Sequence, residues 1–298
     1  MNGSLDELLA SWELHLRAER KSPQTVKSYG DGVRAYIAYC RATGAAEAID
    51  RTRLREFVDH LLSSGAKPAT ATSRHLAVRR FSRWLADEGE LQTDPLAGLK
   101  APKIDQPVVH PLSDDELRAM LKACRGADFM AKRDEAILRL MFTTGARAGE
   151  VVAIRLEDVR LRDEPPTITI YRGKGGRGRV VPLAVEVAAA VDRYLRARRS
   201  HRLSASPALW LGDRGKGFTY DALHKALKAR AEAAGVDGFH PHRLRHTAAH
   251  RWLSKGGSEG GLMAVAGWTR PDMLLRYTRA QAQARAAEEA QRLNLGEL

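Results

Sequence analysis

Four prolines, Pro95, Pro102, Pro107 and Pro111, fall within the stretch from Thr93 to Pro111. Each fixes its own φ, lacks an N–H donor and biases the residue before it away from the helical region, so no helix or central strand crosses this stretch. The chain must build a core on each side of it. With 298 residues there is polypeptide enough for two domains, and the boundary is expected near residue 105, giving 1–105 and 106–298.

The first part carries the helical period. Ser4 and Glu7 make a capping box ahead of Leu8, Leu9, Trp12 and Leu16, while Ser22 and Pro23 supply an N-cap and a first-turn proline before Val26, Tyr29, Val33, Ile37 and Cys40. Gly44 ends that second run. A third apolar face, Leu54, Phe57, Val58, Leu61 and Leu62, stops at Gly65, and a fourth, Leu76, Val78, Phe81, Trp84 and Leu85, reaches Gly89. A small helical bundle is expected.

Beyond the linker, Ser113 and Glu116 form another capping box, and a helix is expected from about Lys132 to Phe142, ending near Gly145. The period then changes. Residues 167–171 and 180–183 are short β-type runs flanking the glycine-rich 173–178, which predicts a β-hairpin with a cationic tip. Helices are expected to resume at Ala184 and continue to the end, where residues 281–291 form an Ala/Glu-rich amphipathic tail suited to its own body or a neighbouring copy. The expected fold class is mainly α with a small β-hairpin, a helical domain followed by a mixed α/β one.

Composition narrows the partner. The formal net charge is +13, and it is uneven: residues 1–105 carry 16 Lys and Arg against 14 Asp and Glu, residues 106–298 carry 33 against 22. Such a surplus favours phosphate backbones or acidic surfaces, although a merely soluble basic protein would show it too. Cys40 and Cys124 sit in no CxxC or Cys/His pattern, so no disulfide framework or zinc site is indicated. Asp6, Glu7 and Glu13 interrupt any signal-peptide core, and no run approaches the ~20 apolar residues of a membrane span. Cytoplasmic residence without membrane association is expected.

Four stretches are chemically loaded: residues 144–150 around Arg147, the turn holding Lys174, His242 to His246, and Ala266 to Trp268 leading to Tyr277. Arg147 follows a glycine at a helix junction, where its planar fork suits two parallel bonds to a phosphate; alone it reads rather as an exposed surface arginine. His242 and Arg245 are three residues apart and so share a helical face, as a solvated basic helix would also have them. Lys174 in a glycine-rich tip fits a general acid or a turn lysine facing water. Tyr277 by itself reads as a half-buried core residue.

Taken together, the order and spacing resemble the tyrosine recombinases of the phage integrase family, in size and layout similar to Xer-type enzymes and small phage integrases. The resemblance spans nearly the whole chain. It rests on Arg147 in a TGxRxxE stretch, Lys174 in a GKG turn, His242 and Arg245 as HxxR, and Trp268 nine residues before Tyr277. It implies a SAM-like core-binding domain followed by a catalytic domain, with Tyr277 as nucleophile forming a 3′-phosphotyrosyl link, Arg147 and Arg245 clamping the phosphate, Lys174 protonating the 5′ oxygen, and His242 hydrogen-bonding the phosphate and helping to move the tyrosine proton. Glu150 is assigned to orienting its neighbours. No metal or other cofactor is implied; the implied partners are double-stranded DNA recombination sites, a homotetramer on DNA with exchange through a Holliday junction, and an accessory directionality factor.

Two departures qualify the pattern. Trp268 stands where most members have histidine, which leaves an indole N–H donor and removes a proton acceptor, so it should orient phosphate or pack the tyrosine. Residues 256–261, Gly-Gly-Ser-Glu-Gly-Gly, are expected to form a loop that lets the tyrosine segment move. The run from Gly267 to Pro271 also departs from the Xer pattern, which favours phage or mobile-element integration over Xer-type resolution of chromosome or plasmid dimers. A type IB topoisomerase shares the chemistry, and a DNA-binding protein without activity would share the charge.

Overall fold

The computed structural model describes residues 4–44, 46–102, 109–171, 178–213, 215–269 and 274. Lys174, Tyr277 and the 281–291 tail lie outside the described residues. The chain divides into two compact units, Met1–Pro107 and Val108–Leu298.

The first unit holds four helices, α1 (Leu5–Ala18), α2 (Pro23–Ala42), α3 (Arg51–Ser63) and α4 (Pro68–Asp87). Their starts follow from local chemistry. Ser4 Oγ accepts from Glu7 N while Glu7 Oε2 accepts from Ser4 N, and Ser22 Oγ accepts from Thr25 N at 3.1 Å with Pro23 in the first turn. The helices pack around Trp12, Tyr36, Phe57 and Phe81, all buried, with Phe81 5.2 Å from Trp12 and 5.9 Å from Trp84 between ring centroids. Two expectations fail here. Leu62 and Leu76 are 40% and 38% exposed, because the buried side of α4 runs through Ala71, His75, Ala77, Val78, Phe81 and Leu85, and α3 turns its last residues outward.

The second unit adds α5 (Asp114–Ala123), α6 (Phe129–Thr144), α7 (Ala148–Val152), a three-stranded antiparallel sheet of β1 (Val159–Arg160), β2 (Thr167–Tyr171) and β3 (Gly178–Pro182), then α8 (Val185–Arg198), α9 (Tyr220–Ala233), α10 (Pro241–Ser254) and α11 (Glu259–Ala266). The hairpin pairs β2 with β3, with Thr167 opposite Pro182 and Tyr171 opposite Gly178. Strand β1 has only two residues, too few for any alternation to show in a sequence. Helix α6 packs between α8 and α10, and the core gathers Ile137, Met141, Val151, Ile168, Val181, Tyr194 and Trp210. A smaller cluster joins Ala249, Leu253, Leu262, Ala266 and Trp268. The fold is thus mainly helical with one small sheet.

Helices do not run unbroken from Ala184 onward. The described residues 199–213 and 215–219 are non-helical and include two isolated bridges, and the buried Arg198 holds them by donating to the carbonyls of Ser204, Ser206, Ala208 and Leu209. The glycine-rich stretch is also not the loop expected. Ser258 Oγ accepts from Gly261 N at 3.1 Å and starts α11, so Glu259, Gly260 and Gly261 are its first turn, and Trp252 Nε1 donates to Ser258 O across the short connection. Both cysteines are buried, and burial pushes the Cys124 thiol up to about 12. No described helix is long and apolar enough to cross a membrane.

Candidate active site

Helix α6 ends at Gly145, whose φ of 64° is the left-handed region that glycine adopts without strain. The reversal turns the chain into α7 and sets Arg147 at its N-cap. Glu150, three residues on and buried, accepts from Arg147 N through Oε2 and from Arg147 Nη1 through Oε1, both at 3.0 Å. Burial by itself would raise the Glu150 carboxyl; hydrogen bonds from Arg179 and Arg147 outweigh it and hold the group below the ordinary glutamate value. Glu150 is therefore a fixed anion beneath Arg147, whose own side chain stays 38% exposed.

Pro241 opens α10, which places His242 and Arg245 one turn apart. His242 is exposed, and its ring meets His246 edge-on at 5.3 Å. Arg245 is 1% exposed, and its Nη1 donates to Gly145 O and, at 2.8 Å, to Ala266 O. The guanidinium carbon lies 5.1 Å from the centre of the Trp268 ring. Trp268 is buried just past α11, where its backbone N–H donates to Met263 O at 2.9 Å. The indole packs in the cluster with Leu253 and Leu262 and backs Arg245 by cation–π contact.

Arg147, His242 and Arg245 line one cavity of about 610 Å³, together with Glu150, Pro241 and Tyr220. Three of the six residues singled out from the sequence thus meet at one surface, and Trp268 joins them through Arg245. Two guanidiniums and an imidazole facing the same space, against one buried carboxylate, make a receptor for an anion with several oxygens.

Two residues of this neighbourhood were not foreseen. Tyr220 begins α9 and is 53% exposed at the cavity rim. Arg179, on β3, donates to Glu150 Oε2 and to Val265 O, each at 2.8 Å. Its signal was available, since Arg179 and Val181 fall on one face of a strand and Val181 is core, which points an arginine inward.

Residues 111–284 match the phage integrase family and residues 9–89 the phage integrase N-terminal SAM-like domain. A tyrosine recombinase XerC of Pseudomonas syringae pv. syringae is 31% identical over 252 residues, covering 84% of this chain and 83% of its own. The chain belongs to the phage integrase family. It is accordingly a tyrosine recombinase, an enzyme of site-specific DNA recombination. Among solved structures, the XerH recombinase bound to a palindromic difH substrate after cleavage superposes with TM-score 0.74 at 20% identity, over 89% of this chain and 79% of that one. A lambda integrase tetramer bound to a Holliday junction gives 0.68 at 17% identity, over 90% and 78%. Both likenesses are of fold.

Proposed function

We propose that this recombinase cleaves and rejoins DNA through a 3′-phosphotyrosyl intermediate, with Arg147, Lys174, His242, Arg245, Trp268 and Tyr277 as its site. The observation that supports it most is the convergence of Arg147, His242 and Arg245 on one cavity, in the motif order of the family. Arg147 and Arg245 hold the non-bridging oxygens and neutralise the charge that builds on them. The Tyr277 phenol, with an ordinary pKa near ~10, attacks phosphorus as its proton is drawn away with help from His242. The bond from phosphorus to the 5′ oxygen breaks, and Lys174 gives that oxygen its proton. The phosphotyrosyl ester keeps the bond energy, so a 5′ hydroxyl from another duplex reverses the step and joins new ends.

In this reading residues 1–105 form the DNA-gripping core-binding domain and residues 106–298 the catalytic domain. Four copies exchange strands on paired double-stranded sites through a Holliday junction, in the cytoplasm, with a directionality factor as a further partner. Integration and excision of a phage or mobile element is the role preferred, because Trp268 and the run to Pro271 depart from the Xer pattern. Xer-type resolution of dimers is the second reading, favoured by the likeness to XerC.

The test starts from DNA covalently attached to the protein in cells, whose junctions are sequenced and rebuilt as nicked duplexes. Wild-type protein accumulates a 3′-linked adduct on them; Tyr277→Phe binds them equally and forms none. An adduct of normal yield from Tyr277→Phe removes Tyr277 from the proposal, and relaxation of supercoiled plasmid without a site requirement favours a topoisomerase.

A further inference from the structure

We infer that Arg179 is a positioning residue for strand cleavage, a strut that joins the Arg147–Glu150 pair to the end of α11 and through it to Arg245. The inference rests on the reading of the cavity as the scissile-phosphate site.

The geometry forms an unbroken chain. Arg147 donates twice to Glu150; Arg179 Nη2 donates to the same Glu150 Oε2 at 2.8 Å, and Arg179 Nε donates to Val265 O at 2.8 Å. The next carbonyl, Ala266 O, accepts from Arg245 Nη1 at 2.8 Å. Two guanidiniums thus occupy successive carbonyls at the C-terminal end of α11, where a helix has no internal donors left and its dipole favours cations. The Arg179 side chain is only 14% exposed and Glu150's 6%. Gly267, which ends α11 with φ 66°, is the seat of the guanidinium: a Cβ there would lie 2.7 Å from Arg179 Nη1. One planar group therefore spans β3, α7 and α11, the last leading directly to Trp268.

Its consequence for chemistry lies in how Glu150 is shared. With Arg179 present, Oε2 is drawn to both arginines and the carboxylate keeps a fixed place under Arg147. Without it, a buried carboxylate is left to Arg147 alone, and the half-exposed Arg147 side chain is pulled from the cavity toward it. A displacement of about 1 Å at a phosphate clamp costs on the order of 10²-fold in rate. Lysine keeps the charge but lacks the fork that reaches both partners at once.

The test is single-turnover cleavage of the rebuilt nicked duplex, with affinity for the same DNA measured separately and folding followed by near-ultraviolet circular dichroism. Arg179→Met is expected to cleave about 10²-fold more slowly with affinity within about 3-fold of wild type, and Arg179→Lys to recover about 10-fold of that loss. Glu150→Gln with Arg179→Met should be no slower than the slower single variant, since both cut the same chain of bonds. Folded Arg179→Met cleaving within about 3-fold of wild type, or single losses that multiply in the double variant, overturns the inference. If Arg179→Met does not fold, Arg179→Lys decides: slow cleavage per folded molecule supports positioning, and a wild-type rate per folded molecule refutes it. Wild-type protein that forms no adduct sinks the proposed function itself, whereas a normal wild-type adduct with an unimpaired Arg179 variant sinks this inference alone.

Discussion

The two units bury different things. Among the described residues of the first, the core is aromatic and aliphatic, led by Trp12, Tyr36, Phe57 and Phe81, and its buried polar residues are His75 and Ser82. The second also buries Arg133, Asp134, Glu150, Asp158, Arg198 and Arg245. Removing a charge from water costs several kcal/mol unless fixed partners replace the lost solvation. Several of these charges therefore commit nearby backbone to one place: Arg198 gathers four carbonyls of the segment after α8, Arg133 bonds Asp134 and Leu211 O, and the part-buried Arg230 reaches both Asp134 and Ala123 O. The first unit is held by shape and area, the second also by directional bonds. That is the construction expected where groups must be preorganised around a phosphate.

The largest effect that would break this contrast is in the first unit. Phe81→Ala removes a ring packed against Trp12 and Trp84 and is expected to cost about 3–5 kcal/mol, read as a lower urea midpoint followed by tryptophan fluorescence. A loss under about 1 kcal/mol would mean that this core is not the support it looks to be. Next, Arg198→Met takes the arginine donor from the carbonyls of Ser204, Ser206 and Ala208, while Leu209 O keeps the Tyr194 hydroxyl; it should cost about 3 kcal/mol of stability and leave cleavage per folded molecule unchanged. A fall in that specific rate would show that the segment after α8 shapes the site and not only the fold.

The smallest effect is in acid. Glu150 is held below its unfolded value, so its ion pairs stabilise the fold fully above that value, near ~4.3, and the contribution fades as pH falls through the folded one. Wild type should therefore exceed Glu150→Gln by about 2 kcal/mol at pH 7, with the gap narrowing below about pH 4. A gap of equal size at pH 7 and pH 3, measured by urea unfolding, would assign the difference to packing.

Legibility followed the range of the cause. Helix starts at Ser4, Ser22 and Ser113 and the stop at Gly145 were readable because caps act over three or four residues. The hairpin was readable from period two and a glycine-rich tip. Leu62 and Leu76 were misplaced because periodicity marks an apolar stripe but not which of its edges a neighbouring helix covers. The stretch at 256–261 misled because glycines suggest a loop, while the one serine among them is a stronger, directional signal that starts α11.

By itself the sequence determined a division near the proline-rich stretch, the four helices of the first unit, the hairpin of the second, and the ordered set from Arg147 to Tyr277 that resembles its family. Tertiary structure alone decided that Arg147, His242 and Arg245 share a cavity, that Trp268 backs Arg245, and that Arg179 links Glu150 to the end of α11. The division has a physical reason. Caps, turns and periodicity are set by neighbours along the chain, whereas Arg179 gains its carboxylate partner 29 residues away and its carbonyl partner 86 residues away only when those segments pack and exclude the water between them.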